Sequence, residues 1–270
     1  MTLEDKKKID CLRAEYGSVD ASHSFLSLFL YGEENGYGVK LDDDGYYVED
    51  KYGRFLFPVG SDGHKRRFIA SHKGKTVYKM TEGDVSFMLS SDPDFMYEEA
   101  PEDHEYVYSR AEQAELNGHK FQKVRAKLSR FYRENDTYTV PLTTENLSPA
   151  YEILKRWQPK SGDGDFGGAL KALENYTELG MRGAMTYIGK DAVGYCCGAD
   201  IGSGVFMLCS AKQISDVQGL NLCTKNELYK TLPESFEFIN TESDHGSAGI
   251  RMHKNDLRPV SLIKMYKGVI

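Results

Sequence analysis

The stretch RGAMTYIGKDAVGYCCGADIGSGVFMLCSAKQ, Arg182 to Gln213, decides the fold. It reads as three apolar runs, RGAMTYIG, DAVGYCCGADI and GVFMLCSAKQ, joined by short glycine turns, so an antiparallel meander is the natural pairing. Upstream, ALKALENYTEL is a helix that Gly180 closes, reached from AYEILKRW through the Gly-rich connection SGDGDFGG, with Ser148-Pro149 as N-cap and first turn. Downstream, Ser215 to Leu232 returns to helix, Pro233 stops it, and FEFINT is one more strand. That strand runs into INTESDHGSAGIRMHK, Ile239 to Lys254, which closes on a helix. The order helix, helix, three strands, helix, strand, helix is that of a mixed α/β unit.

The first part is also mixed. SHSFLSLFLYGEENG is a short apolar helix, and GVKL, GYYVED and RFLFPVG, parted by DDDG and KYG, form a second meander. SDGHKRRFIASHKG reads as a short helix, KTVYKM as a strand, DVSFMLSS as a helical turn or two and EYVYS as a strand end. Ser109 and Glu112 have capping-box spacing, and Asn117-Gly118 supplies the stop. In HKFQKVRAKLSRFYR the residues Phe121, Val124, Leu128 and Phe131 line one helical face, and Lys and Arg fill the rest.

The chain has 270 residues and a net charge of −7, enough length for a core without disulfides and the wrong sign for bulk affinity to nucleic acid or anionic membranes. Its five cysteines form no CxxC pair and no secretion signal opens the sequence, so free thiols and a cytoplasmic location are expected. The apolar run Phe25–Tyr31 is too short to cross a bilayer. Charge is nonetheless segregated: seven acids and no Lys or Arg lie between Asp92 and Glu105, while Lys120 to Arg133 carries six basic residues and no acid.

Several motifs in order resemble one family. EYVYSRAEQAELNGHKFQKVRAKLSRF, through Tyr106, Tyr108, Leu116, Gly118, Lys120, Arg125 and Phe131, is similar to a segment of the phosphatidylglycerol lysyltransferase C-terminal domain family. YTELGMRGAMTYIGKDAVGY matches its entry to the central strands through Leu179, Gly180 and Gly183. INTESDHGSAGIRMHK resembles its closing segment through Asn240, Glu242, Asp244, Gly246, Gly249 and Arg251. One departure is Ala126, where the family has asparagine. The resemblance implies tandem GNAT-like (acyl-CoA N-acyltransferase-like) domains with mixed, mostly antiparallel sheets, divided here as 1–112 and 113–270. It also implies transfer from acyl-CoA or aminoacyl-tRNA, as co-substrate and not as a tightly bound cofactor, to an amine or hydroxyl. The acceptor is a small molecule, a peptide or a lipid head group. No counterpart of the family's membrane-spanning part is visible, so lipid aminoacylation is not expected. The two halves share no evident text.

On this reading donor phosphates sit at the start of the helix after the central strands, at Gln218, Gly219 and Leu220. The local text, Asp216 to Asn221, fails the glycine pattern of CoA binders and adds an acid, so a plain helix start capped by Ser215 or Asp216 is the alternative. Lys120, Lys123, Arg125 and Lys127 are candidate phosphate or tRNA contacts, or an ordinary solvated helix face. Metal binding is not expected: Glu242, Asp244 and His245 have no second His or Cys at ligand spacing, and SGDGDFGG lacks the acidic residue that ends a calcium loop. A GxSxG nucleophile elbow is missing. Glu242 and Asp244 remain as catalytic candidates facing a cleft, amine binder or general base. Alternatively Asp244 pairs with Arg251 across a turn that Asn240, Gly246 and Gly249 help to build. A non-catalytic GNAT-fold protein that binds tRNA, a peptide or a small metabolite is the rival function.

Overall fold

A computed structural model describes residues 1–161 and 165–270, with residues 158–161 described by backbone alone. Part of the expected SGDGDFGG connection lies outside the described residues. In the first half, α1 (Lys6–Glu15) and α2 (Phe25–Asn35) precede β1 (Gly38–Leu41), β2 (Gly45–Glu49) and β3 (Phe55–Gly60). Then come α3 (Asp62–Ser71), β4 (Thr76–Met80), α4 (Glu82–Ser91), β5 (Tyr97–Glu99), β6 (Glu105–Ser109) and α5 (Arg110–Glu115). The second half continues with α6 (Gln122–Glu134), β7 (Thr137–Leu142), α7 (Leu147–Ser161) and α8 (Phe166–Glu174). It closes with β8 (Arg182–Ile188), β9 (Asp191–Asp200), β10 (Val205–Gln213), α9 (Leu220–Thr231), β11 (Phe238–Asn240), α10 (Ala248–Asp256), β12 (Ser261–Ile263) and β13 (Tyr266–Val269).

These strands make two mixed sheets flanked by helices, in the orders β1-β2-β3-β4-β13-β5 and β12-β6-β11-β10-β9-β8-β7. The repeat that the text hides is visible in the topology. An antiparallel meander, β1-β2-β3, is followed by α3 and by β4 parallel to β3. A second meander, β8-β9-β10, is followed by α9 and by β11 parallel to β10. The fold is a tandem GNAT-like arrangement.

Each sheet is completed by a strand from the other half. Strand β6, ahead of the expected division after residue 112, pairs with β11 and β12 in the second sheet, and β13 pairs with β4 and β5 in the first. Apolar side chains of both sheets, with α1, α2, α7 and α8, form one continuous core: Tyr46 and Leu56 belong to the same cluster as Met185, Tyr195 and Met207. The outer face of the second sheet packs on α5, α6 and α9, and that of the first on α3 and α4.

Local signals held where burial reinforced them and failed where it did not. On α6, Val124, Leu128 and Phe131 are buried, as their spacing predicts. The capping signal at Ser109 is half realised: its hydroxyl accepts from Glu112 N–H, but α5 then ends on Leu116 in the left-handed region, two residues before Gly118. Ser148 lies inside α7, because a short turn capped at Thr143 already starts the helix at Leu147. Helix α9 begins five residues later than expected, with Gly219 and not Ser215 or Asp216 as N-cap. Strand β7 lies outside the expected elements: in TYTVPL the alternation stops at Pro141, a residue of edge strands, yet all six residues pair with β8.

At Gly268, β13 lies close against the segment that leads into β5: a Cβ there would lie 2.6 Å from Phe95 Cζ and 2.8 Å from Met96 O. Gly268→Val should therefore cost about 1–3 kcal/mol by overpacking, measured by urea unfolding. Hydrogen exchange should accelerate in β4 and β5, remote in sequence, before it does so in β8 and β9.

Candidate active site

Strands β10 and β11 pair only from Val205/Phe238 to Met207/Asn240; beyond that point they part. Strand β10 also carries a bulge, with Leu208 opposite Gly198 and Ser210 opposite Cys197, so Cys209 is the extra residue. Into the opening runs the turn Thr241–Ser247, and Glu242 and His245 adopt positive φ there (59° and 50°). Such non-glycine conformations cost of order 1–3 kcal/mol and persist only when their surroundings hold them. Asn240, fully buried, supplies part of that hold: its Oδ1 accepts from Glu242 N–H at 2.8 Å, and its Nδ2 donates to Glu105 Oε2 at 2.6 Å.

The resulting cavity, about 420 Å³, is lined by Glu242, His245, His253, Lys254, Lys225 and Tyr229 among others. Glu242 accepts a hydrogen bond from the Tyr31 hydroxyl at 3.2 Å, and the same hydroxyl lies 3.2 Å from the carbonyl of the bulged Cys209. Burial, together with the nearby Glu105 carboxylate, pushes Glu242 up to about 7, against the pull of Lys254, Lys79 and Tyr31. Lys254 donates to the carbonyls of Thr241 and Glu242 and lies over the Tyr106 ring. Burial brings it down to about 8, although Glu242 pulls the other way. Burial likewise lowers Lys225, and among the described residues no carboxylate pairs with it. His253, exposed at the rim, is lowered from the usual imidazole value by partial desolvation and by Lys225 and Lys127.

Asp244 is built differently from Glu242, two residues away. Fully buried, it accepts from Arg251 Nε (2.8 Å), Arg251 Nη2 (3.1 Å), Tyr106 Oη (2.7 Å) and Gly246 N–H (2.9 Å). Burial would raise its pKa, but these donors hold it at about 2. A carboxylate so satisfied is a poor base near neutrality, and its geometry clamps the turn onto α10. Tyr108 adds a second clamp through Lys254 O at 2.9 Å. Gly246 adopts φ 75°, a conformational requirement, whereas the space around Gly249 is open, so close packing on the sheet does not explain that glycine.

The other sequence candidates lie apart from Glu242. Gln218 and Gly219 line an adjoining cavity of about 420 Å³ that shares Gln213, Asn221, His253 and Leu257 with the first. Leu220 is fully buried in the core and its N–H donates to Val217 O, so the N–H groups left for an anion at the start of α9 are those of Asn221 and Leu222. Gly219 is required by contact: a Cβ would lie 2.9 Å from Phe131 Cβ. On the basic helix Lys120 pairs with Glu112, Lys127 lies 3.5 Å from Asp256, and Arg125 donates to the Leu116 and Gly118 carbonyls. Lys123 is exposed, and no ion pair joins it to another side chain among the described residues. Sequence reasoning missed Tyr31, Lys79, Glu105, Lys225 and Lys254. Only Glu105, an acid in the otherwise apolar and aromatic EYVYS, left a signal. No group of three His, Cys, Asp or Glu residues among the described ones could hold a metal.

Residues 13–267 match the family described as phosphatidylglycerol lysyltransferase, C-terminal. The chain belongs to that family. No curated protein sequence matches it. Among solved structures, a conserved protein of unknown function from Bacteroides thetaiotaomicron superposes with a TM-score of 0.91 at 21% identity, covering 100% of this chain and 98% of that one. The C-terminal domain of a putative lysylphosphatidylglycerol synthetase from Agrobacterium fabrum gives 0.70 at 12%, covering 98% and 92%. FemX gives 0.62 at 8%, covering 100% and 96%. In family and fold the chain is acyltransferase-like. No helix among the described residues is long and apolar enough to cross a membrane.

The two neighbouring carboxylates should act on stability with opposite signs. Asp244, depressed in the fold, contributes stability that is present above about pH 4 and lost as pH falls toward about 2. Glu242, raised in the fold, binds its proton more tightly folded than unfolded, so stability falls as pH rises from about 4.5 through about 7. In urea unfolding, Asp244→Asn should therefore be less stable than wild type at pH 6, the gap closing on acidification. Glu242→Gln should be the more stable protein at pH 8, by on the order of 3 kcal/mol at most.

Proposed function

We propose that the chain transfers an acyl or aminoacyl group to an amine in the cleft between β10 and β11, with Glu242 as general base. The observation that carries this reading is the part-buried Glu242 carboxylate, raised to about 7 at the open end of the splayed pair and beside Lys254. A base poised there is largely ionised just above neutrality and still strong enough to take a proton from an attacking ammonium. The amine nitrogen then forms its bond to the acyl carbon, and the thiolate or ribose oxygen leaves. Lys254, near 8, is the cation that answers the charge on that oxygen or sulfur and returns a proton. The donor's phosphates lie toward the Asn221 and Leu222 N–H groups, with Lys127 and His253 beside them. Asp244, Arg251 and Tyr106 position the turn.

Because Glu242 and Lys254 act on each other, the two limbs of the pH profile belong to the pair. Transfer should rise through about pH 7 and decline above about pH 8. The test offers an acyl-CoA and an aminoacyl-tRNA in parallel, with an amine acceptor, to wild type and Glu242→Gln. A loss of roughly 10²- to 10⁴-fold, with the rising limb abolished, is expected of the variant. An unchanged rate removes Glu242 from the mechanism. Failure of both donors to bind at low salt favours the non-catalytic binding protein. In the tRNA arm, Lys123→Glu should weaken binding and reduce the salt dependence by about one counterion.

A further inference from the structure

Helix α9 turns a row of side chains toward the Glu242 cavity. Asn221, Lys225 and Tyr229 stand four residues apart, so they share one helix face, and all three line that cavity. Asn221 also lines the adjoining cavity at the start of α9, but Lys225 and Tyr229 do not, which separates them from the donor phosphates placed there.

Two hydrogen-bond donors in this row are unused. Among the described residues no hydrogen bond or ion pair reaches Lys225 Nζ or Tyr229 Oη, and neither atom is sealed from solvent. Tyr229 is buried and Lys225 half-buried, so the surface these two residues keep is the surface they give to the cavity. An ammonium without an acceptor at such a site is costly to the fold, and burial accordingly lowers Lys225.

The charges lining the cavity leave Lys225 as the unanswered group. Asp165 pairs with Lys212, and Glu242 and Lys254 offset each other. His245 and His253 are both lowered by partial desolvation and by neighbouring lysines, so neither is charged near neutrality. What remains is one positive charge and one phenol O–H, a single turn apart on a rigid helix. Together they are donors for the two oxygens of a carboxylate.

We propose that the acceptor is a small amino carboxylate: Lys225 and Tyr229 bind its carboxylate, and its ammonium faces Glu242, which takes the proton. This assignment rests on the transferase reading and names the acceptor class of that site. Such a zwitterion matches the cavity at both ends, its positive group toward Glu242 and its negative group toward Lys225. A cavity of about 420 Å³ is in the range of small-molecule sites.

The test is isothermal titration calorimetry slightly above neutrality, with no donor present. Glycine, β-alanine and 4-aminobutyrate are compared with their primary amides and with 2-aminoethyl phosphate. At least one acid should bind about tenfold more tightly than its amide and than the phosphate. Lys225→Met should abolish that preference and, by removing an unpaired charge from a half-buried site, should not lower the thermal midpoint. Tyr229→Phe should weaken binding of the acid about fivefold and leave binding of the amide unchanged. Glu242→Gln, which ends transfer on the reading above, should keep the preference for the acid, so failure of the reaction and failure of the carboxylate subsite give different results. The proposal is overturned if no acid binds, if no acid binds better than its amide, if the phosphate binds more tightly than the acids, or if the preference survives Lys225→Met.

Discussion

The buried carboxylate of Glu105 is the interaction on which the rest of the molecule depends. It accepts from the N–H groups of Ala21 (2.7 Å) and Ser22 (2.9 Å), from the Ser22 hydroxyl and from Asn240 Nδ2. Those partners come from the loop ahead of α2 and from the end of β11, so one side chain joins the first half of the chain to the strand that delivers Glu242. A buried charge is tolerable only when so fully hydrogen-bonded. Its field then does chemistry at a distance, helping burial to raise Glu242 to about 7. The Lys79 ammonium, 3.0 Å from Ser22 Oγ, is pulled up by the acids around it despite its burial, and keeps this part of the site from holding negative charge alone.

Strand exchange explains why Glu105 stands there at all. Strand β6 carries it into the second sheet, while β13 leaves the second half to fill the gap between β4 and β5. Neither sheet is whole without the other's strand, and the core between them is continuous. Both parallel pairs, β3/β4 and β10/β11, part after two or three residues and open clefts at matching places. One cleft gathers a raised carboxylate and lowered lysines; the other is lined by acids at the starts of α3 and α4.

Much of the architecture was legible because the signals were local. The meander Arg182–Gln213, the amphipathic face of α6 and the turn after Asn240 follow from alternation, helical period and turn residues, all read within a dozen positions. The family motifs also map onto scaffolding: Tyr106, Tyr108, Asp244 and Arg251 clamp one turn, and Arg125 ties the Leu116 cap. What escaped was nonlocal. The edge strand β7 and the returning β13 are specified by their partners, and Leu220 reads as a donor-phosphate contact until the core claims it.

The sequence by itself determined the mixed α/β class, the family and the short list containing Glu242 and Asp244, because residue type and spacing carry those. It could not rank the two acids. Both are carboxylates in one turn, and only tertiary structure gives Asp244 four donors while it leaves Glu242 with Tyr31 and the field of Glu105. Burial and neighbouring charge set a proton affinity, and both are supplied by residues far away in the chain.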